Sequence, residues 1–243
     1  DQIMKKVVSF FASLGSFLIF WELVSLFTQN RSLPTPLETF VRLKELGPEI
    51  LLHTGASFLR IFIALGIALL VGVPLGILFG RVKLVQKIFG PLVYFLYPLP
   101  KVAFLPVFML FFGLGNTSKI ILIFSVISFQ VIVSIRDGVA QIPESYFQVL
   151  ENYPTTWWHR LRFLIFPAIV PYLFSSIRVS VGISLASLFF AENYNTKYGL
   201  GYLILSAWGK MDYTQMLGGI FMIALGGFIL FRLLDDLEKK FGY

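Results

Sequence analysis

Long apolar runs separated by short polar segments dominate this sequence. Six of the runs are long enough to cross a bilayer, which takes a helix of about 20 apolar residues. Because backbone amides and carbonyls find no water inside hydrocarbon, each run is predicted to be an α-helix. The predicted spans lie at about 7–27, 57–80, 88–112, 118–135, 163–191 and 216–234.

The third and fifth runs are predicted to be bent. The third contains Pro98, Pro100 and Pro106, and the fifth contains Pro167 and Pro171. Since a proline removes a helical hydrogen bond, each run is expected to be kinked or to follow an interfacial turn. The fourth run is the shortest of the six.

Composition agrees with a membrane location. Of the 243 residues, 57% are hydrophobic and 14% are charged, whereas about a quarter of a water-soluble domain is charged. Phe alone occurs 27 times, and so many large apolar side chains are costly on a wet surface. The sequence therefore predicts an all-α membrane protein.

The basic residues predict the orientation. The net charge is +7, but Lys and Arg lie in short clusters between the apolar runs, which is typical of membrane topology rather than of nucleic-acid binding. With the N-terminus cytoplasmic, the outside segments hold six basic residues: Arg31, Arg42, Lys44, Lys119, Lys197 and Lys210. The inside segments hold eleven, so both termini are predicted to be cytoplasmic: Lys5, Lys6, Arg81, Lys83, Lys87, Arg136, Arg160, Arg162, Arg232, Lys239 and Lys240.

Several kinds of chemistry are not indicated. Without Cys there is no thiolate metal site, and His53 and His159 lie far apart in the sequence, so no metal centre is expected. No phosphate-binding glycine loop and no Ser/His/acid set is present. The chain is therefore predicted not to be an enzyme and to bind no cofactor directly.

Two polar segments are long enough to fold. Residues 34–50 are predicted to form an amphipathic helix on the outer surface, which either lies on the membrane or caps the bundle. Its apolar residues are Leu37, Phe40, Val41, Leu43 and Leu46.

The cytoplasmic segment 136–162 is predicted to hold two short helices. The first runs over about 143–152 and ends at Pro154, and Thr155 or Thr156 is placed to cap the second. An aromatic-rich pair of helices on this side indicates a docking element for a soluble partner. The residues predicted to share one face are Ile142, Tyr146, Val149 and Tyr153.

Four segments carry more specific motifs. Residues 53–80 contain Ser-x-x-Arg and Gly-x-Pro-x-Gly, and residues 98–115 contain Pro-Lys-x-Ala-x-x-Pro and a terminal Gly-x-Gly. Residues 166–192 contain Pro-x-x-x-Pro, an Arg and a closing Glu, and residues 198–204 begin Tyr-Gly-Leu-Gly-Tyr. In this order and spacing they resemble the permeases of ATP-binding-cassette (ABC) importers for nitrate, sulfonates, taurine, bicarbonate and related small molecules.

The resemblance implies a type I ABC importer permease fold, with six transmembrane helices in one domain over 1–243. It also implies a multi-pass protein of the bacterial inner membrane. The implied partners are a cytoplasmic ABC ATPase dimer that binds ATP and Mg, a second permease chain, which is the same or a paralogue, and an extracytoplasmic substrate-binding protein.

In the family, the loop between spans four and five contacts the ATPase and usually carries Glu-Ala-Ala, three residues, then Gly. Here Phe147-Gln148-Val149 and Tyr153 occupy those positions, while Trp157 matches the usual aromatic residue. Because Tyr does not adopt a positive φ freely, we expect a docking helix rebuilt with bulky residues. The coupling residues that the resemblance implies are Ile142, Tyr146, Phe147, Val149, Leu150, Glu151, Tyr153, Thr155 and Trp157.

Charges inside spans are costly and mark candidate functional residues. Lys101 is interpreted either as a pathway or gate residue that attracts an anion or pairs with a carboxylate, or as a structural or snorkelling lysine. Glu192 is predicted to pair with Arg60 near the outer face, and Arg178 to be buried against another helix. Lys101, Arg178 and Glu192 are therefore the candidate residues of the translocation pathway or gate.

Glycines within the spans predict close helix contacts, since small residues let helices approach in lipid, and Gly72, Gly76 and Gly80 have the four-residue spacing of a packing ridge. The glycines predicted to make such contacts are Gly72, Gly76, Gly80, Gly182 and Gly218-Gly219.

Two other functions stay open at this point, a secondary transporter and a membrane scaffold that has lost transport. The first is expected to show an internal repeat or embedded carboxylates, and neither is evident. The rebuilt loop is the one feature that favours the second. The transported solute is left undetermined.

Overall fold

A computed structural model of the chain describes residues 2–28 and 30–241, except for the side chains of residues 2, 3, 5–7 and 9. The side chains of Lys5 and Lys6, which entered the orientation count, lie outside the described part. The described chain is a bundle of α-helices: α1 (Gln2–Thr28), α2 (Pro36–Leu46), α3 (Pro48–Arg81), α4 (Lys83–Leu96), α5 (Leu105–Phe112), α6 (Asn116–Ala140), α7 (Glu144–Glu151), α8 (Trp157–Arg160), α9 (Phe166–Glu192), α10 (Leu200–Gly209) and α11 (Tyr213–Lys240).

Five helical segments of the described part are long and apolar enough to cross a membrane, and a sixth span is a broken pair. The five lie at Phe10–Thr28, Pro48–Arg81, Asn116–Ala140, Trp157–Glu192 and Tyr213–Lys240. The fold is therefore the predicted all-α membrane bundle of six spans. The boundaries differ most at α3, which begins nine residues before the predicted 57.

The third span is broken rather than kinked. The segments Lys83–Leu96 and Lys101–Phe112 meet at a bend of 83°. The second segment begins with a 3₁₀ turn over Lys101–Phe104 and continues as α5. The break falls on Pro98 and Pro100 because neither can donate a helical hydrogen bond. The prolines of the fifth run act differently: a π-helical stretch, Leu161–Ile165, precedes Pro167, and α9 continues through Pro171.

The pair α3–α6 forms the centre of the bundle. A β-carbon on Gly76 would lie 2.7 Å from Ile135 Cβ, and one on Gly80 would lie 2.7 Å from Val139 Cβ. At Gly72 the nearest atom, Val131 Cγ1, would lie 2.8 Å away. The predicted glycine ridge is thus a close contact between two helices of the same chain.

The fourth span was predicted to be short, but α6 has 25 residues and is half buried within the chain. Its last turns carry Arg136 and Asp137, which are charged residues of the kind expected in a loop, but the helix continues through them.

The outer helix α2 packs on the start of α11. Gly218 faces Leu43 and Thr39, and the rings of Phe40 and Phe221 meet edge to face with centroids 5.1 Å apart. A capping box starts α2, in which Thr35 Oγ1 accepts from Glu38 N and Glu38 Oε2 accepts from Thr35 N. The helix therefore caps the bundle. Its predicted apolar face is wrong at two residues, because Leu37 and Val41 are 72% and 52% exposed.

Candidate functional site

The segment after α6 folds into the two predicted short helices, α7 and α8. Phe147 is the buried residue of α7, with 1% of its surface exposed, and it packs in the main core cluster beside Val139, Ile142 and Ile165. The opposite face is open: the exposed large side chains are Tyr146 (57%), Val149 (56%), Tyr153 (64%), Trp157 (55%) and Trp158 (63%). We call these five residues the α7–α8 apolar patch.

The predicted shared face of this segment is partly wrong. Tyr146, Val149 and Tyr153 are exposed together, but Ile142 is buried in the core. The physical reason is that α7 begins only at Glu144, so helical spacing does not extend back to Ile142.

The remaining coupling candidates lie around the end of α7. Leu150 is half-buried and its carbonyl accepts from Thr155 Oγ1 at 2.8 Å, while Glu151 is exposed with Oε1 3.7 Å from Arg160 Nη1. Tyr153 is not among the non-glycine residues with positive φ, which in the described chain are Asn195 and Met211. The turn is therefore built without the left-handed backbone that a glycine would allow.

The predicted cap of α8 is also corrected. Thr156 occupies the N-cap position with extended backbone, but no side-chain cap hydrogen bond is formed. Its Oγ1 instead lies 2.6 Å from His159 Nδ1.

The inner end of α3 touches α7. Arg81 Nη1 donates to Glu144 Oε2 at 3.2 Å, and the guanidinium carbon lies 3.5 Å from the centroid of the Phe147 ring. Sequence reasoning assigned Arg81 only to the inside loops.

Lys101 lies at the break in the third span. Its Nζ donates to the carbonyl of Tyr97 at 2.9 Å and lies 4.5 Å from the centroid of the Phe129 ring. The adjacent cavity, about 290 Å³ in volume, also exposes Gln130. Within the described chain, no carboxylate lies at ion-pair distance from Lys101, so the structure shows no ion pair for this lysine.

The predicted ion pair between Arg60 and Glu192 is present at the outer end of the bundle. Glu192 has no exposed surface, and it accepts from Arg60, from Ser57 Oγ at 2.9 Å and from Gly201 N at 2.8 Å. Arg60 also donates through Nη2 to Asn116 Oδ1 and to the Tyr198 carbonyl, each at 2.8 Å.

The Gly-Leu-Gly-Tyr motif serves this same cluster. A β-carbon on Gly199 would lie 2.5 Å from Glu192 Cδ, and one on Gly201 would lie 2.8 Å from Glu192 Cβ. The glycines are therefore required because the loop backbone must pass directly over the carboxylate.

Lys119 was assigned to an outside loop, but it lies in α6 and is 1% exposed. Its Nζ donates to the carbonyls of Leu114 and Gly115 at 3.1 Å and of Asn195 at 3.2 Å. A cavity of about 360 Å³ opens beside Arg60 and Lys119. Nothing in the side-chain pattern of the sequence signals this buried lysine.

Arg178 joins two spans, as predicted, although it is only partly buried. Its Nη2 donates to Asp235 Oδ1 at 2.7 Å and to Glu238 Oε2 at 2.8 Å, so α9 is held to the end of α11. Among the described residues, no group of three or more His, Cys, Asp or Glu side chains is placed to hold a metal ion.

Comparison with known proteins agrees with this architecture. Residues 72–243 match the family model described as binding-protein-dependent transport system inner membrane component. The chain is 32% identical over 188 residues to the taurine transport system permease protein TauC of Escherichia coli. The aligned region covers 77% of this chain and 68% of the relative.

Two relatives cover more of the chain at lower identity. The nitrate import permease protein NrtB of Synechococcus elongatus is 26% identical over 95% of this chain and 88% of its own length. The bicarbonate transport system permease protein CmpB of the same species is 25% identical over 94% of this chain and 87% of its own length.

Proposed function

This chain belongs to the family of binding-protein-dependent transport system inner membrane components, and on that basis we propose that its segment 136–162 docks the cytoplasmic ATPase that drives transport. The chain is a multi-pass inner-membrane permease subunit of an ABC importer for a small solute, and it is not an enzyme. The three relatives named above are permeases, and none of them favours a secondary transporter or a scaffold.

One observation carries the docking proposal, the exposure of the α7–α8 apolar patch. Tyr and Trp are the residues most enriched where binding energy concentrates in protein interfaces. In the patch these residues lie on α7, on the turn after it and on α8, among the charged side chains Glu144, Glu151 and Arg160, so the patch is not a continuous lipid-facing surface. A partner that covers the patch removes apolar side chains from water.

The partner set follows from the same proposal. Import of this kind uses ATPase and binding-protein partners; we assign ATP and Mg to an ATPase dimer and place a second permease chain, the same or a paralogue, beside this one. Closure of the ATPase pair would rock the two helical bundles between inward-open and outward-open states. Both termini are placed in the cytoplasm, as the basic residues indicate.

The three charged candidates receive distinct roles in this scheme. Lys101 faces a cavity at the break of the third span, and we assign it to the translocation pathway. Glu192 and Arg178 each tie two or more helices together through ion pairs. These ion pairs hold the helices together, and they form or break as the bundles rock. The relatives' names refer to taurine, nitrate and bicarbonate, and the solute of this chain is not assigned.

The proposal is tested by affinity purification of the chain with a C-terminal tag in mild detergent. A Val149→Asp, Tyr153→Asp double variant is expected to weaken ATPase binding by roughly 1,000-fold, because two interface hot-spot residues at about 2 kcal/mol each contribute about 4 kcal/mol. The matched control is Leu37→Asp with Val41→Asp, which places the same charges on exposed apolar positions of the outer helix α2.

Retention of the ATPase by the docking variant would show that the contact lies elsewhere on the chain. If no ATPase co-purifies with the parent chain in several detergents, the proposed function itself is wrong. A second permease of different sequence in the purified complex would explain how the rebuilt loop is tolerated, whereas a complex in which this chain is the only kind of permease would indicate a homodimer.

A further inference from the structure

Arg81 connects the end of a membrane span to the helix that carries the exposed patch. It is the last residue of α3, and both of its side-chain contacts, Glu144 and Phe147, lie on α7. The carboxylate receives a hydrogen bond, and the ring lies under the guanidinium. These two contacts fix both the position and the rotation of α7 relative to α3.

Phe147 makes this connection rigid. The ring is buried between Arg81 on one side and the core cluster that includes Val139, Ile142 and Ile165 on the other. A cation–π contact is stronger when it is shielded from water, and 24% of the Arg81 side chain is exposed. Arg suits this position better than Lys because its planar guanidinium stacks on a ring.

The other side of α3 is locked to α6. Along Gly72, Gly76 and Gly80 the side chains of α6 pack directly on the backbone of α3, so that no β-carbon fits at the three glycines. Interfaces packed in this way do not deform continuously. A displacement applied to α7 through Arg81 is therefore passed to the α3–α6 pair as a whole.

Arg81 also lies next to the broken third span. Only Val82 separates α3 from α4, and its N–H still bonds to the Leu78 carbonyl at 2.9 Å. The chain then runs through α4 to the break where Lys101 faces its cavity. The inner end of α3 is therefore followed directly in the chain by the helix that leads to this cavity.

We propose that Arg81 is a positioning residue that makes α7 and α3 move as one body when the ATPase pair closes. The displacement of α7 then reaches α3 through a side-chain contact, in addition to the chain connections of α7 to α6 through residues 141–143 and of α8 to α9. This inference rests on the proposed docking of the ATPase at 136–162, and it adds the path that the motion takes inside the membrane.

The test measures a distance within the chain. Because the sequence contains no Cys, spin labels on Ser145→Cys and Leu59→Cys are unique in this subunit. The doubly labelled chain is assembled with an excess of unlabelled chain and with unlabelled ATPase, so that distances between two copies do not contribute. Ser145 is exposed on α7 and Leu59 is exposed on α3, about 33 Å along the helix from Arg81 at 1.5 Å per residue. Pulsed electron spin resonance on the complex purified with its ATPase compares the nucleotide-free state with the state trapped by Mg-ATP and orthovanadate.

In the parent complex we expect the same distance distribution in both states. In Arg81→Ala we expect the ATPase to stay bound and a second, nucleotide-dependent distance population to appear. Arg81→Lys keeps the charge without the planar stack and is expected to show a smaller second population. The control Lys83→Ala removes a basic residue from the same junction, and among the described residues no carboxylate lies at ion-pair distance from it. This variant is expected to behave like the parent.

Three results would overturn the inference. One is a parent distance that changes on trapping, and another is an Arg81→Ala distance that does not. The third is loss of the ATPase from Arg81→Ala, which would mean that Arg81 only supports the docking surface. Failure of the proposed function has a different signature, because then no ATPase is recovered with the unmodified chain.

Discussion

Replacing Glu192 by Gln tests whether the outer cluster holds the bundle together. The carboxylate has no exposed surface and accepts hydrogen bonds from Arg60, Ser57 and Gly201. Gln has nearly the same volume, so packing is conserved. Arg60, however, keeps only neutral acceptors, the Asn116 side chain and the Tyr198 carbonyl, because no other carboxylate of the described chain lies at ion-pair distance.

The magnitude follows from burial. Removing one partner of a buried ion pair costs about 3–5 kcal/mol, because the remaining charge is left uncompensated. For a chain of roughly this length, 1 kcal/mol shifts the melting temperature by about 2–4 °C. Glu192→Gln is therefore expected to melt about 6–20 °C below the parent protein.

The assay is thermal unfolding of the purified chain in detergent, with Glu45→Gln as the matched control. Glu45 also pairs with an arginine, Arg42, at 3.1 Å, but 57% of its side chain is exposed. An exposed pair contributes about 0–1 kcal/mol, so the control is expected to melt within about 4 °C of the parent.

A Glu192→Gln protein that melts as the control does would refute the reasoning, since the pair would then contribute no more than a surface contact. The double variant Arg60→Gln, Glu192→Gln supplies a second check. Since both charges are removed, it is expected to be more stable than the sum of the two single losses predicts.

Two further predictions use the same assay. Gly76→Ala is expected to lower the free energy of unfolding by about 1–3 kcal/mol, because its β-carbon overpacks against Ile135. The control Gly182→Ala, whose β-carbon meets no described atom within 4 Å, is expected to be neutral or stabilising by up to about 1 kcal/mol. Equal effects of the two changes would contradict the close contact at Gly76. Burial alone would raise the pKa of Asp212, but hydrogen bonds from the Gln215 backbone, Thr214 and Arg42 outweigh it and hold this pKa below its ordinary value of 3.8. The stabilisation that ionised Asp212 contributes is therefore complete above pH 3.8 and is lost as the pH falls through the lower folded pKa. Asp212→Asn is expected to remove this loss of stability at acid pH. An unchanged pH profile of the melting temperature in the variant would contradict this role of Asp212.

The spans could be predicted from hydropathy because lipid forces every apolar run to satisfy its own backbone hydrogen bonds. Their ends could not be placed so well. Glu49 and His53 resemble loop residues, yet both lie in the first turns of α3. His53 is buried there, with Nδ1 3.0 Å from the Gly199 backbone. The helix instead starts where the sequence has Gly47 followed by Pro48 in the first turn, a local signal that hydropathy does not include.

The glycine pattern was informative only in part. The four-residue spacing of Gly72, Gly76 and Gly80 predicted a close helix contact, and the structure places all three against α6. Gly182 belongs to the same prediction, but no described atom lies within 4 Å of its β-carbon position. Spacing identifies a ridge, whereas a lone glycine carries no periodicity from which a packing partner follows.

The coupling segment shows how a boundary error changes a face. Counting helical spacing from Ile142 placed it with Tyr146 and Val149, although the helix starts two residues later. The ring that is buried belongs to Phe147, and its contact with Arg81 joins residues 66 positions apart in the sequence. No local pattern encodes such a contact, because it depends on how α6 returns the chain to the inner end of α3.

The charged residues fall into two groups, those paired with another charged side chain and those hydrogen-bonded to backbone carbonyls. The pairing of Arg60 with Glu192 was predictable because both are charged side chains placed at the same depth by the span assignments. Lys101 and Lys119 bond instead to backbone carbonyls, which have no signature of their own in the sequence. Both lysines nevertheless follow a helix break by a few residues, at Pro98-Leu99-Pro100 and at Gly113-Leu114-Gly115. A helix end frees carbonyls that a continuous helix would have used, so a lysine just after a Pro-rich interruption within a span, or just after a Gly-rich turn between two spans, can be held without any acidic partner.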